Sequence, residues 1–396
     1  MKVKKKMFRL PNGLCCYVVQ NMETNNDISI QLLVRAGALQ EKKGERGWFH
    51  FLEHLLIYPH LYPAPNRDAD IGFKAFDYAY VSFCETAYLF QGSDGTGELL
   101  RDSFRTARGI LEGSFLSEMA FLQTKGDVLK EYESFTRKRW FASSVNLLNT
   151  ISASLPIGSR EDISKVGYGK LIEKHKQAYR MENAAIIVSS SRSAEEIQIL
   201  LQQVFQEEIR EDRKEENCHR EWRHSNIYSG KFSVEEPYLF LAWLPRQARE
   251  FPKLVQEHVH LAILARALEL GVLDMGWKGK AECTVEIFHA NAYLFCLALS
   301  EKFQEEKSAR EIRGFVQNLF LTKSLFLQAK EVVSRQLDKQ EHCPLAEAVS
   351  ECREHFLYGE PFLGMEEEFY CTILANCKYE DVRNKFRMIT DFLQKE

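Results

Sequence analysis

Residues 47–55 read Gly47-Trp48-Phe49-His50-Phe51-Leu52-Glu53-His54-Leu55, and the apolar residues around the two histidines predict a buried helix over 48–57. His50 and His54 are four residues apart, so their imidazoles would lie on one face of that helix, one turn apart. Glu53 would lie beside them. Three polar groups on a buried helix need partners, and a single metal ion would satisfy all of them.

The chemistry of this residue set favours zinc. Two imidazoles and one carboxylate suit Zn²⁺ and leave a fourth position for water, and a neighbouring glutamate can take a proton from that water. We therefore expect Glu53 to act as a base and an acid on another helix to complete the site. Glu131 is the candidate, because it lies in the middle of an amphipathic helix predicted over 117–135. Asp127, one turn earlier on the same face, could orient a ligand histidine.

An alternative reading makes His50 and His54 ordinary helix residues and Glu53 a surface acid, since the pattern H-x-x-E-H also occurs by chance. The apolar setting argues against this alternative. Other histidines and cysteines favour structural roles. We expect Cys218, His219 and His224 in an exposed linker, His258 and His260 as surface or packing residues, and Cys343, Cys352 and His355 among packed helices.

Length and composition limit the remaining possibilities. The chain has 396 residues, 45% of them hydrophobic, which predicts two domains. The net charge of −4 gives no basic excess for nucleic acid and no polybasic arm for a membrane surface. No run approaches the ~18 apolar residues of a membrane span, and no apolar signal core follows the basic first residues, so a cytoplasmic location is expected. Ten cysteines without a C-x-x-C pair predict reduced thiols.

The order of predicted elements indicates an α+β protein. Residues 27–36 alternate as a strand, with Ile28, Ile30, Leu32 and Val34 on one side, and helices and strands then follow one another to residue 205. Residues 206–225 (QEEIREDRKEENCHREWRHS) are almost all charged and predict an interdomain linker. We therefore expect an N-terminal domain over 1–205 and a C-terminal domain over 226–396 that repeats the same architecture.

Several motifs resemble those of the M16 metallopeptidases, the inverted-zincin family that includes pitrilysin, insulysin and the mitochondrial processing peptidase. The similar stretches are Leu10-Pro11-Asn12-Gly13-Leu14, Val34-Arg35-Ala36-Gly37-Ala38, Gly47–Leu55 and Tyr80–Tyr88. This resemblance implies that His50, His54 and Glu131 bind one Zn²⁺ per chain and that Glu53 is the general base of peptide-bond hydrolysis. It also implies two similar domains, each an antiparallel-rich sheet covered by helices, that form half of a clamshell.

The same resemblance implies that substrate lies as an extended strand along Tyr78, Ala79 and Tyr80. Here the sequence departs from the family pattern. Tyr78 replaces an asparagine of the substrate strand. Thr124 replaces a second glutamate that the family often has one helical repeat before the ligand, which is Glu131 here. The arginine and tyrosine that grip substrate in the second half are also missing. Arg266 stands in a different setting, and Tyr293 lacks the upstream arginine.

A chain of this length resembles one half of a two-lobed M16 enzyme. We therefore expect a heterodimer, in which a related subunit without the zinc motif supplies the arginine–tyrosine pair. Short bacterial members of this kind include subunits that mature subtilosin-type bacteriocins, and the degenerate second half fits that branch. The sequence thus predicts a zinc endopeptidase subunit acting on a small or precursor peptide. The alternatives are a non-catalytic scaffold or binding subunit and, less favoured, a metal-dependent hydrolase of a non-peptide substrate.

Overall fold

The computed structural model describes residues 3–21, 26–63, 74–137, 154–205, 228–231, 238–245, 251–277, 279–289, 292–300, 318–339, 344–359 and 367–394. These residues form two compact units. The N-terminal unit contains the described residues up to 205 together with 344–359. The C-terminal unit contains the described residues of 228–339 and 367–394.

A six-stranded sheet forms the centre of the N-terminal unit. Its strands follow the spatial order β1-β2-β6-β3-β5-β4, and all neighbours are antiparallel except β2 and β6. The strands are β1 (Val3–Arg9), β2 (Cys15–Asn21), β3 (Asp27–Val34), β4 (Phe76–Val81), β5 (Thr86–Ser93) and β6 (Ala184–Ser190). The predicted first hairpin is confirmed. Gly13 has a φ of +91°, and the Asn12 side chain accepts a hydrogen bond from the Leu14 amide at 3.1 Å.

Helices cover one face of this sheet. They are α1 (Trp48–Leu56), α2 (Tyr58–Leu61), α3 (Glu98–Glu112), α4 (Glu118–Thr136), α5 (Arg160–Lys165), α6 (Tyr168–Ala178) and α7 (Ala194–Phe205). Ile28, Ile30, Leu32 and Val34 all point into the core beneath these helices, as the alternation predicts. The amphipathic pattern over 165–179 predicts one helix, which corresponds to α6, and the extended backbone of Val166 and Gly167 separates it from α5.

The C-terminal unit is also α+β. Its antiparallel sheet has the order β7-β8-β10-β9, and residues 283–300, where the sequence predicts two strands or one long one, lie in β9 and β10. The elements of the second half are β7 (Tyr228–Lys231), β8 (Tyr238–Pro245), α8 (Phe251–Asp274), β9 (Lys280–His289), β10 (Ala292–Ser300), α9 (Lys323–Lys339), α10 (Pro344–Tyr358), α11 (Glu367–Asn376) and α12 (Tyr379–Gln394). The α+β class predicted from the sequence is confirmed.

Helix α10 packs on the N-terminal unit, although the sequence assigns it to the domain over 226–396. It covers the sheet face opposite to α1, where its Ala348, Cys352 and Phe356 contact alternate strand residues. Those strand residues are Cys15, Tyr17, Val19, Leu33, Ala87, Leu89, Ala185 and Ile187. The sheet is therefore buried on both faces, and the covering of its second face comes from a distant part of the chain.

Several other predictions can be compared with the described residues. The linker expected over 206–225, with Cys218, His219 and His224, and also Cys343 lie outside them. The cysteines that can be assessed are unpaired, and only Cys371 among them is exposed. Among the helices that the structure describes, none combines the length and the apolar character needed to cross a membrane. The extent of the domains over 1–205 and 226–396 stays a prediction.

Candidate metal centre

Helix α1 is anchored at its start by a buried glutamate. Gly47, in a left-handed conformation with φ of +88°, has no side chain to cap the helix. Glu41 takes that role: its carboxylate accepts hydrogen bonds from the amides of Gly47 and Phe49, both at 2.8 Å. Burial raises the pKa of Glu41 to about 8, although both amides and Lys174 oppose this shift. Glu41 thereby fixes where the helix begins and which way its histidines point.

Three donor atoms from α1 and α4 converge. The Nε2 atoms of His50 and His54 are 3.2 Å apart, and Glu131 Oε2 lies 3.5 Å from the first and 3.2 Å from the second. Helices α1 and α4 are held together below this point by stacking of Phe51 on Phe121, with ring centroids 5.3 Å apart. The structure therefore brings together the three residues that the sequence predicted as ligands.

These separations suit a tetrahedral ion. Ligands about 2.0–2.1 Å from a central Zn²⁺ lie roughly 3.3–3.4 Å from one another, which is close to the observed 3.2, 3.2 and 3.5 Å. Two imidazole nitrogens and a carboxylate oxygen this close need a shared cation, either a proton or a metal. The donor set of two nitrogens and one oxygen thus fits zinc without rearrangement.

Glu53 is placed beside this cluster but is held differently. Its carboxylate lies 3.6 Å from His54 Nε2, farther than Glu131, and only 6% of its side chain is exposed. Its ligand atom nevertheless lies within 4.8 Å of those of His50 and His54. The shorter contact with His54 favours Glu131 as the ligand. It leaves Glu53 as a buried carboxylate next to the site.

The charges of the site reinforce one another. Hydrogen bonds from His50 and His54 hold the pKa of Glu131 well below its usual range, although partial burial opposes this shift. Burial alone would lower the pKa of His54, but Glu131, Glu53 and Asp127 together raise it. Burial raises the pKa of Glu53, against the opposing effect of both histidines. Negative charge therefore accumulates around the two imidazoles, as expected at a cation site.

Neither Asp127 nor Thr124 is hydrogen-bonded to a ligand histidine in the described residues. Asp127 accepts hydrogen bonds from the Tyr62 hydroxyl and from Lys130 Nζ, so within the described residues its partners are not the ligand histidines. Nδ1 of His50 is buried and has no hydrogen-bond partner in the described part of the chain. The same holds for the Thr124 hydroxyl, which lies inside the core. The role of Asp127 in orienting a histidine stays a prediction.

The predicted substrate strand is an edge strand. Tyr78, Ala79 and Tyr80 belong to β4, which ends the sheet order and pairs only with β5 in the described structure. Ala79 packs toward the core that contains α1, whereas Tyr80 packs toward α10. Tyr78 is 48% exposed, and its ring stacks on that of Tyr80. The free edge next to α1 can accept an extended chain.

A buried ion pair fixes the loop after this strand. Glu85 is fully buried, and its Oε1 accepts hydrogen bonds from the Tyr80 hydroxyl at 3.0 Å and from Arg353 Nε at 2.9 Å. A second guanidinium nitrogen of Arg353 donates to the same oxygen. Neither this pair nor the Glu41 cap was predicted from the sequence. The one indication of the Glu41 cap in the sequence is Gly47, which has no side chain to cap the helix, so the first amides of α1 need an acceptor from elsewhere.

The two residues considered for substrate gripping in the second half are already engaged. Arg266 pairs with Glu269, and its second terminal nitrogen donates to the Cys283 carbonyl at 3.4 Å. Tyr293 is 2% exposed, and its hydroxyl donates to Glu257 at 3.4 Å. Both side chains therefore stabilise the C-terminal unit.

Comparison with solved structures identifies the fold of this chain. No family model and no curated protein matches the sequence. Solved structures do match, among them the periplasmic protease PqqL from Escherichia coli, with a TM-score of 0.78 and 14% identity over 98% of this chain and 46% of that one. A putative M16-like peptidase from Alicyclobacillus acidocaldarius has a TM-score of 0.68 and 16% identity over 98% and 95% of the two chains. A protease from Helicobacter pylori has a TM-score of 0.73 and 17% identity over 98% and 96%.

The chain thus spans about half the length of the PqqL chain. A separate structure of the first half of PqqL matches with a TM-score of 0.77 and 13% identity, over 98% of this chain and 90% of that half. A predicted insulinase family protease from Yersinia pestis matches over 99% of this chain with a TM-score of 0.66 and 12% identity. The chain therefore has the α+β fold of M16-like and insulinase-family peptidases.

Proposed function

We propose that this chain is the zinc-carrying subunit of an endopeptidase that hydrolyses small or precursor peptides. The observation that supports this most directly is the convergence of His50 Nε2, His54 Nε2 and Glu131 Oε2 at separations of 3.2–3.5 Å. The similarity of the fold to M16-like peptidases also supports this proposal. One Zn²⁺ per chain would be held by these three residues.

A zinc ion in this place would act as a Lewis acid on the scissile carbonyl and would make water easier to deprotonate. Glu53 takes a proton from the attacking water and delivers it to the leaving amine. Its burial suits this role, because burial raises the pKa of Glu53 and a carboxylate with a raised pKa is a stronger base toward water. Glu131, with its pKa held low, stays ionised and is suited to bind the metal.

The substrate would pair as an added strand with the free edge of β4. Backbone pairing selects an extended shape rather than a particular sequence. Ala79, on the side of α1, leaves room next to the metal centre, whereas the exposed Tyr78 ring offers an apolar surface for a substrate side chain. Replacement of the family asparagine by Tyr78 is therefore expected to change substrate preference more than metal binding.

We further propose that a related subunit without the zinc motif completes the enzyme. Arg266 and Tyr293 bind within their own unit, so a substrate-gripping pair would come from the partner. The fold also covers only 46% of the PqqL chain, as one half of a longer enzyme would. A cytoplasmic location and a role in subtilosin-type bacteriocin maturation stay predictions.

The decisive experiment compares zinc content and peptide hydrolysis in three proteins: wild type, Glu53→Gln, and the His50→Ala/His54→Ala double variant. Each is isolated as a tagged full-length chain from its native cells, together with its bound partners, without chelators. We expect about one zinc at this centre in the wild type and in Glu53→Gln, and loss of it in the double variant. Hydrolysis of a mixture of unstructured peptides should fall at least about 100-fold in Glu53→Gln.

Glu118→Gln is the matched control, because Glu118 lies in the first turn of α4, away from the converging side chains, and is exposed. This variant should keep both zinc and activity. Wild-type protein without zinc would overturn the proposal. Zinc binding with hydrolysis that is unchanged in Glu53→Gln would instead favour the scaffold or binding subunit.

A further inference from the structure

A second cluster of metal-binding side chains lies in the C-terminal unit and shares no residue with the first. His260 on α8, Cys377 after α11 and Asp381 in the first turn of α12 each offer one ligand atom, and these atoms all lie within 4.8 Å of one another. This cluster could not be predicted from the sequence, because more than one hundred residues separate His260 from the other two. Packing of α8 against both α11 and α12 brings them together.

His260 is the most informative member. Only 7% of the residue is exposed, and its Nε2 atom is buried with no hydrogen-bond partner in the described part of the chain. Burial lowers its pKa, so the neutral imidazole with a free lone pair is favoured. Buried polar atoms are nearly always satisfied in folded proteins, and an unsatisfied Nε2 on a histidine that is grouped with a thiol and a carboxylate indicates a missing ligand.

The backbone around Cys377 is held rigidly. Lys330 on α9 donates from Nζ to the carbonyls of Ala375 and Cys377, at 2.8 and 3.0 Å. Only 6% of the Cys377 residue is exposed. Within the described residues, its thiol donates one weak hydrogen bond, to the Lys378 carbonyl at 3.9 Å. A thiol fixed in this way faces His260 at little further entropic cost.

Asp381 supplies the third ligand from the exposed side. One of its carboxylate oxygens caps α12 by accepting a hydrogen bond from the Lys378 amide at 2.8 Å, which orients the side chain. Neighbouring positive charges are occupied elsewhere. Lys385 pairs with Glu257 at 3.0 Å, and Lys330 binds the two carbonyls. Both lysines therefore make these hydrogen bonds to groups outside the three cluster side chains.

We propose that His260, Cys377 and Asp381 form a second metal site, which binds Zn²⁺ with one position open toward solvent. An imidazole, a thiolate and a carboxylate are typical zinc ligands, and their combined charge of −2 neutralises the ion. Binding releases the thiol proton to solvent, so the thiolate replaces a buried neutral thiol. The proposal stands independently of the peptidase function, since the two sites lie in different units.

Cobalt provides a selective test. The first site has no sulfur ligand, so a thiolate-to-cobalt charge-transfer absorption band can arise only from a cysteine site. The full-length wild type, freed of bound metal, is titrated with Co²⁺ alongside Cys377→Ser, His260→Gln and the control Cys371→Ser, whose cysteine lies on α11 shortly before Cys377 but is exposed. We expect one band that saturates by two equivalents in wild type and Cys371→Ser, because Co²⁺ fills both sites, and that is lost in both site variants.

Zinc content gives a second, independent readout. Mass spectrometry should find two Zn²⁺ per wild-type chain, and one in Cys377→Ser or in the His50→Ala/His54→Ala variant. Absence of the charge-transfer band in folded wild type would overturn the second site, as would a band that persists in Cys377→Ser. A wild type that holds one Zn²⁺, kept in His50→Ala/His54→Ala and lost in Cys377→Ser, would refute the proposed peptidase site and leave the second one standing.

Discussion

Glu41 lies seven residues before the first residue of the helix that it caps, and it accepts hydrogen bonds from two amides at the start of that helix. Glu41→Ala leaves two buried amides without an acceptor, so we expect a loss of about 1–3 kcal/mol in the free energy of unfolding of the N-terminal unit. Urea unfolding followed by circular dichroism measures this loss. Glu41→Gln retains one side-chain carbonyl oxygen as an acceptor, so its free energy of unfolding should lie between those of wild type and Glu41→Ala. A stability of Glu41→Ala equal to wild type would show that the cap is dispensable.

His175 provides a test at acid pH. It stacks on Tyr179, and its Nε2 donates to the Ile110 carbonyl at 2.9 Å. Burial lowers its pKa, although the hydrogen bond to Ile110 opposes this. Because the unfolded state then binds a proton that the folded state excludes, stability is present above the ordinary histidine pKa of about 6.5 and is lost as pH falls below it.

We therefore expect wild type to lose its stability advantage over His175→Gln as the pH falls from 7 toward 5. Chemical unfolding of both proteins at several pH values measures the difference. His60→Gln, at an exposed position of α2, is the control and should run parallel to wild type. A constant difference between wild type and His175→Gln across this range would contradict the prediction.

At the residue scale, local spacing was enough to predict that His50 and His54 share one helix face. Glu131 was the candidate for a third ligand because it lies in the middle of an amphipathic helix, and the family resemblance implied the same residue. Metal binding by the three residues stays a prediction. Glu41 and His260 could not be predicted in the same way. Their roles arise from contacts made only after the chain folds, and an isolated glutamate or histidine in the sequence gives no indication of its distant partner.

Helix α10 is attached to its sheet by a buried ion pair as well as by apolar packing. Arg353→Leu would leave the fully buried Glu85 without its positive partner, and we expect a loss of about 3–5 kcal/mol in the free energy of unfolding. Arg335→Leu is the control, because Arg335 on α9 forms an exposed pair with Glu331 worth about 0–1 kcal/mol. Thermal and urea unfolding of the two variants should separate them clearly. Equal losses would show that Glu85 needs no partner.

At the element scale, alternation predicted β3 and helical periodicity predicted α1 and α4, because both patterns are local properties. The position of α10 could not be predicted in this way. Its amphipathic sequence predicts a helix with one buried face, but it does not say which sheet that face covers. The apolar residues on both sides of β2 and β6 indicated a sheet buried on both faces, yet they too left the covering element open.

At the scale of the whole molecule, the chain order and the spatial order differ. The N-terminal unit is incomplete without residues 344–359. We expect a fragment of residues 1–205 to expose the sheet face around Tyr17, Val19 and Leu33, to bind the hydrophobic dye ANS, and to aggregate. Adding a peptide of residues 343–362 should reduce dye binding and protect the fragment from aggregation.

The same peptide with Phe356→Asp is the control, because a charge at that buried position cannot pack on the sheet. Light scattering and ANS fluorescence report both effects. A stable, monomeric fragment without the peptide would show that the first 205 residues form an autonomous domain. In that case α10 would be an accessory covering rather than part of the core.

The late position of α10 also affects how the protein is made. When residue 205 leaves the ribosome, the strands of the first sheet are complete, but their covering helix is still about 140 residues from synthesis. At roughly 5–20 residues per second, this interval lasts about 7–28 s. During it an apolar sheet face stays open in the cell. We expect the nascent chain to be a chaperone client throughout this interval, and the metal centre to reach its final stability only when translation is nearly finished.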